Sequence, residues 1–242
     1  MSKINKILKF VSFLIIALFI LNACNNSLFG LKGSGDTIKQ EINLENFDKI
    51  EMAIDADVIL IKGDVQKVKI EAQQNIIANI KTKVKSGKWI IEYGRNVGKH
   101  NPVTIYITLP AIPEIVLSGS GNISSDDTFD ADTLILKIPG SGNIDIETNT
   151  KNVDISISGS GNIYLDGETT NQNISIFGSG NYKCFSFLSK KSDITISGSG
   201  TCEVYAQDNL FVEISGSGNV YYKGNPSINS MISGSGNIIN SN

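Results

Sequence analysis

From residue 114 onward, aliphatic side chains recur at alternate positions on both sides of a repeated Gly-Ser-Gly triplet. The triplets begin at Gly119, Gly140, Gly159, Gly178, Gly198, Gly216 and Gly234, spaced 21, 19, 19, 20, 18 and 18 residues apart. Two positions before them stand Leu117, Ile138, Ile157, Ile176, Ile196, Ile214 and Ile232, and four before them Ile115, Leu136, Ile155, Ile174, Ile194, Val212 and Ser230. Four after them stand Ile123, Ile144, Ile163, Tyr182, Cys202, Val220 and Ile238. The intervening positions are mainly polar, for example Asp154, Ser156, Asp193, Thr195 and Glu213. Period two with one apolar face predicts strand, turn, strand in each copy.

One copy alone cannot bury its apolar stripe. Stacking the copies in register turns the stripes into Ile/Val/Leu columns with layers ~4.8 Å apart, so that seven layers span about 30 Å. Stiff β-branched side chains suit such columns. The predicted fold is therefore all-β, a parallel β-helix with repeats of 18–21 residues. The triplet glycines are expected to supply φ > 0 at a tight corner. The Ser that follows each first glycine, and the Asn that follows the triplet in six copies (Thr201 is the exception), are expected to align as ladders. The variable segments 167–173 and 189–192 are expected to form a third side or protruding loops. In the last copy, Ser230 and Asn240 occupy core phases, which predicts a polar end layer.

The first half carries a worn version of the same unit. Met52-Ala53-Ile54-Asp55-Ala56-Asp57-Val58-Ile59-Leu60 aligns with Ile157-Ser158-Gly159-Ser160-Gly161-Asn162-Ile163-Tyr164-Leu165, keeping the apolar positions and losing the glycines. Segments 65–72, 80–84, 89–93 and 103–107 also alternate, and 74–79 reads as a short helical turn. Trp89 is expected in the core or at an end cap. The chain divides into a signal (1–23), a lipidated Cys and tether (24–39), a degenerate repeat part (40–113) and the regular stack (114–242), with Pro110 to Pro113 as the candidate boundary.

The N-terminus follows a different pattern. Lys3, Lys6 and Lys9 precede an almost wholly apolar run from Phe10 to Leu21, too short to span a bilayer and suited to a signal peptide. Leu21-Asn22-Ala23-Cys24 resembles the bacterial lipobox, which implies lipid on the Cys24 sulfur and anchoring in the cell envelope, at the outer membrane with a periplasmic or surface face. Of the 21 basic residues three lie in the signal, against none of the 24 acidic ones, so the remainder carries a formal −6. That balance argues against nucleic-acid partners. Besides Cys24, only Cys184 and Cys202 remain, on the inward phase of different columns, and they are expected as buried free thiols.

The lipobox, Phe47-Asp48-Lys49-Ile50, Asp57-Val58-Ile59-Leu60-Ile61-Lys62-Gly63-Asp64, Val68-Lys69-Ile70-Glu71-Ala72 and the Ser-Gly-Ser-Gly-Asn-Ile copies together resemble the auto-transporter adhesin, head GIN domain family, across roughly residues 40–240. The resemblance implies a right-handed parallel β-helix in a surface or periplasmic lipoprotein. It brings no catalytic residues and no cofactor, and no autotransporter barrel is expected here.

Candidate chemistry is sparse. His100, the single His, sits in a Gly/Asn-rich loop and is expected to be solvated; a His/Cys zinc site lacks ligands, and Asn stands where a calcium β-roll wants a carboxylate. Asp126, Asp127, Asp130 and Asp132 form the densest acidic cluster, the place where a polysaccharide-active β-helix enzyme would keep an acid/base pair. Near-absence of Arg disfavours a lyase. Tyr164, Tyr205 and Tyr221 fall on the outward phase and, with Asp126 and Asp127, make the candidate ligand surface. The expected function is a noncatalytic, adhesion-type envelope lipoprotein whose partner is a glycan or an envelope protein, with a purely structural envelope role as the other noncatalytic alternative.

Overall fold

The structure, a computed structural model, describes residues 30–242. The basic start, the apolar run and Cys24 lie outside the described residues. In chain order the strands are β1 (Thr37–Ile42), β2 (Lys49–Met52), β3 (Asp57–Lys62), β4 (Lys67–Gln73), β5 (Val84–Lys85), β6 (Lys88–Ile91), β7 (Thr104–Leu109), β8 (Glu114–Leu117), β9 (Asn122–Ile138), β10 (Asn143–Ile157), β11 (Asn162–Ile176), β12 (Asn181–Ile196), β13 (Thr201–Ile214), β14 (Asn219–Lys223), β15 (Ser227–Ile232) and β16 (Ile238–Asn240). A single turn of helix, α1 (Gln74–Ile77), falls within the segment expected to be helical. The strands join one sheet that coils into a β-solenoid of about seven turns.

The stack rests on in-register parallel pairing. β9 to β13 follow one another in sheet order, with Ile144 opposite Ile163, Ile155 opposite Ile174 and Ile157 opposite Ile176. Ile138, Ile157 and Ile176 are fully buried, as the inward columns require. Burying one such side chain contributes about 1.5–3 kcal/mol, so each added layer stabilises its neighbours substantially. Both variable segments lie inside β11 and β12 rather than in loops: the strands bend and keep pairing, as Thr169 with Ser189 and Gln172 with Ser192. They form the third side, and the expectation of protrusions fails there. Differences in repeat length are absorbed as bulges, one of them between Asp145 and Glu147 of β10, opposite Ser124 and Thr128 of β9.

The worn unit is a true layer. Met52 pairs with Leu117, Asp57 with Asn122 and Val58 with Ile123, the register the alignment predicts. Its neighbours are not in chain order. β2 and β3 lie between β6 and β7 on one side and β8 and β9 on the other. Both flanking layers come later in the sequence. Beyond β7 the pairing turns antiparallel, through β4 to β1, which closes that end of the solenoid. One core runs from Phe47 to Val220, with Trp89 fully buried in it.

At the other end, Ser230 and Asn240 are exposed, but so are Ile228, Met231 and Ile232. The expected polar end layer is only partly polar. Ile228 and Ile232 continue the inward columns of Leu210 and Ile214 with no strand stacked above them among the described residues.

Candidate ligand-binding surface

The glycine turns come first, because they set how closely the layers approach. From the second turn on, the Ser amide donates to the first glycine carbonyl of the layer before: Ser141 to Gly119, Ser160 to Gly140 and Ser179 to Gly159, each at 3.1 Å. A Cβ on Gly159 would fall deep inside contact distance of the Gly140 carbonyl oxygen and 2.7 Å from the Pro139 oxygen; on Gly161 it would meet the Gly142 oxygen and lie 2.7 Å from Ile138 Cγ2. None of the triplet glycines has positive φ. The expectation of a left-handed corner is therefore wrong, and the glycines serve close approach of backbone to backbone. The first layer shows the converse. Its turn carries Ile54 and Ala56 because the layer stacked against it opens into the long connection between β6 and β7, leaving a groove of about 430 Å³ lined by Asp55, Ala56, Asp57, Lys99, His100 and Val103. Tyr93, whose ring meets His100 edge-on, has a hydroxyl without a hydrogen-bond partner, and burial followed by the Asp55 charge pushes its pKa up to about 12.

The two expected ladders differ. Asn side chains bond along the stack: Asn122 Nδ2 donates to Asp57 Oδ1 at 2.9 Å, Asn143 to Asn122 at 2.9 Å, Asn162 to Asn143 at 2.8 Å and Asn181 to Asn162 at 2.8 Å. At Thr201 the backbone amide takes over, donating to Asn181 Oδ1 at 3.0 Å. The triplet Ser hydroxyls form no such ladder and face solvent. Asn162→Ala removes one bond on each side of its layer and should lower stability by about 1–2 kcal/mol, read as a fall in the urea midpoint. A midpoint equal to that of the unmodified chain would show the ladder to be idle.

The residues singled out from sequence do not form one platform. Tyr164 and Tyr221 share an outward column, but Asp145, Lys183 and Glu203 also occupy it, and the two rings are three layers apart, roughly 14 Å. Tyr205 stands in another column, between Leu188 and Lys223. All three tyrosines are half-buried. The acidic cluster is likewise divided. Asp127 accepts the Lys62 backbone N–H at 2.8 Å, Asp130 pairs with the Lys62 ammonium at 2.7 Å, and Asp132 pairs with Lys151 at 2.7 Å. The lysine hydrogen bonds hold the Asp130 and Asp132 carboxyls below the usual aspartate range, the opposite of what a general acid needs. Asp126 instead lies close enough to Asp145 for their charges to interact, and Asp166 acts on Asp145 as well. Burial first, then the Asp166 and Asp126 charges, raises the Asp145 pKa. The folded protein thus holds this proton more tightly than the unfolded chain does. The resulting stabilisation is complete below the ordinary aspartate pKa and is lost as pH rises through the raised value. Asp145→Asn should therefore raise the urea midpoint at pH 7, with the gain vanishing on acidification; a gain that persists at low pH would contradict this assignment.

Sequence reasoning passed over a second groove, on the side of the coil that leads into the turns. Two outward columns bound it: Asn152, Asn171, Lys191 and Asn209, and beside them Asp154, Asn173, Asp193 and Phe211. It encloses about 430 Å³. Its floor is strand backbone; beneath it, on the inner face of the same strands, the column that holds Val153 and Leu210 in the flanking layers holds Gln172 and Ser192. These buried groups are satisfied: Gln172 Nε2 donates to Ser189 Oγ at 2.9 Å and Ser192 Oγ at 2.8 Å, and the Tyr182 hydroxyl donates to Gln172 Oε1 at 2.7 Å. Cys184 and Cys202 are free and buried nearby in the stack, their thiol pKa values pushed well up by burial. The available signal was the pair of polar residues, Gln172 and Ser192, six positions before Gly178 and Gly198 on an otherwise aliphatic phase.

Comparison with known proteins agrees with this architecture. A "putative adhesin" from Bacteroides fragilis shares the fold with a TM-score of 0.83 at 22% identity, over 88% of this chain and 100% of its own. A "putative lipid binding protein" from Parabacteroides distasonis superposes with a TM-score of 0.75 at 21% identity, over 88% of this chain and 99% of its own. A "putative adhesin" from Parabacteroides merdae gives 0.72 at 21% identity, over 88% and 100%. No curated protein matches the chain. The worn first layer and six of the seven glycine turns fall within residues 46–226, which match the family model described as "Putative auto-transporter adhesin, head GIN domain", and the chain belongs to that family.

Proposed function

We propose that this chain is a noncatalytic, adhesin-like protein of the bacterial cell envelope, tethered by lipid on Cys24 and binding its partner through the outer faces of the solenoid. The observation that carries the reading is the division of labour in the stack. Its interior is filled with aliphatic side chains, while the outside presents columns of dissimilar polar side chains in fixed register about 4.8 Å apart. A rigid array of that kind suits recognition of an extended partner. Family membership and the relatives described as adhesins support the same reading. For the tether, the support is the lipobox sequence ending at Cys24.

Two measurements test it. Radioactive palmitate should label the unmodified chain in cells and fail to label Cys24→Ser; equal labelling would refute the anchor. Protease added to intact cells should degrade the solenoid as it degrades a known surface protein. Complete protection in intact cells, with degradation after lysis, would place the domain inside and remove the adhesion role.

A further inference from the structure

We infer that the groove bounded by Asn171, Asn173, Lys191, Asp193, Asn209 and Phe211 is a carbohydrate subsite that takes a neutral pyranose. The inference rests on the adhesin-like reading and names a ligand class and a place for it. The volume, about 430 Å³, lies in the range of small-ligand sites, about 300–1,000 Å³. The wall chemistry is that of a polyol receptor. Asn171 Nδ2 is used by Asn152 Oδ1 at 2.9 Å and Asn173 Nδ2 by Asp154 Oδ1 at 2.8 Å. Those bonds fix both amides in orientation and leave each with an amide N–H and carbonyl lone pairs for a ligand. Lys191 adds donors and Asp193 acceptors from one layer, and Asn209 both kinds from the next. The N–H and the oxygen of one such amide can together engage two vicinal hydroxyls, and successive layers about 4.8 Å apart reach different parts of a ring. Phe211, half-buried at the edge, offers an apolar face for the C–H side of a sugar ring.

A polar cluster on the inner face of the same strands holds the groove in shape. An inward Gln and Ser in an aliphatic column give up hydrophobic burial, and their network with Tyr182 and Ser189 meets the hydrogen-bonding needs that burial creates. That arrangement sits under the groove, where the neighbouring layers have Val153 and Leu210. Charge selects within the class. The lining carries one ammonium, on Lys191, and one carboxylate, on Asp193, so it has no net charge to draw a uronate and suits an uncharged or N-acetylated sugar. Because the side chains stand on continuous strands, the site is formed before any ligand arrives.

The test is calorimetric titration of the purified full-length chain with cellotetraose, mannotetraose, N-acetylchitotetraose and tetragalacturonate. At least one neutral tetrasaccharide should bind more tightly than tetragalacturonate. Phe211→Ala and Asn209→Ala should each weaken that binding about tenfold, the worth of one lost contact of about 1.4 kcal/mol. Lys85→Ala, at an exposed position of β5 several layers from the groove, should leave it unchanged. Both groove positions face outward, and an unchanged far-UV circular dichroism spectrum checks the fold. No binding by any neutral probe, preference for tetragalacturonate, or less than twofold change in both groove variants overturns the subsite. Protease accessibility on cells is independent of these residues, so the groove can fail while the envelope role stands, and the reverse.

Discussion

Gly159→Val should destabilise the solenoid by about 3 kcal/mol or more, at the upper end of what overpacking costs. Its Cβ alone would enter the space of the Gly140 carbonyl oxygen, and that neighbour is backbone, which cannot rotate away as a side chain can. Relief requires the third and second triplet turns to separate. Separation breaks the Ser160 to Gly140 hydrogen bond and strains the Asn143–Asn162 contact beside it. In a solenoid each layer is held mainly by its two neighbours, so a fault between layers divides the stack. Urea unfolding should show a lower midpoint together with a reduced m-value, because the two parts no longer unfold as one unit. The adjacent Ser160→Ala supplies the contrast. Its hydroxyl faces solvent, and the change should stay within about 0.5 kcal/mol. If Gly159→Val matched Ser160→Ala, close interlayer approach would not be the reason for the glycine.

Trp89→Ala should cost about 3–5 kcal/mol, the range for deleting a large buried aromatic. The ring is fully buried, packs tilted against Phe47 with centroids 5.6 Å apart, and is flanked in register by Ile50 and Val84. Its Nε1–H donates to the Lys81 carbonyl at 2.9 Å. Alanine leaves both a cavity and an unanswered carbonyl. Trp89→Phe separates the two, keeping most of the packing and losing only the hydrogen bond, so it should cost about 1–3 kcal/mol. Thermal unfolding followed by circular dichroism measures both variants. A loss below about 1 kcal/mol for Trp89→Ala would mean that the β2–β6 layers contribute little to the cooperative unit.

The columns were readable because period two reports which face a residue belongs to, and Ile138, Ile157 and Ile176 are buried as that period demands. Tyr182 was legible as an inward residue, and its register partner Cys202 is the small side chain that accompanies it. Cys184 and Cys202 could be read as unbridged from their columns. What alternation does not encode is which strands become neighbours. The pattern placed β2 and β3 in a layer but could not tell that β6 and β7 would stack behind them, or that β4 would turn antiparallel. Glycine presents a similar ambiguity. The letter marks an absent Cβ, and whether it is absent for φ or for approach depends on what lies 4.8 Å away. The groove around Phe211 was hidden for a third reason. It is assembled from outward positions of several successive layers, where no periodic rule constrains the residue type, and only the polar pair beneath it, Gln172 and Ser192, left a trace.

The placement of the worn layer between two later ones bears on how the chain assembles. Within the regular stack a contact such as Asn143 to Asn162 closes 19 residues, whereas Asp57 meets Asn122 across 65. The longer closure costs about 1 kcal/mol more in chain entropy. A ribosome or translocation channel delivers β2 and β3 early, yet β2 must wait for β6 and β8, and β3 for β7 and β9, before both edges are paired. Order should therefore nucleate among β10 to β13 and grow backward toward the amino end, opposite to the direction of delivery, and whatever receives the nascent chain must shield two open strands in the meantime.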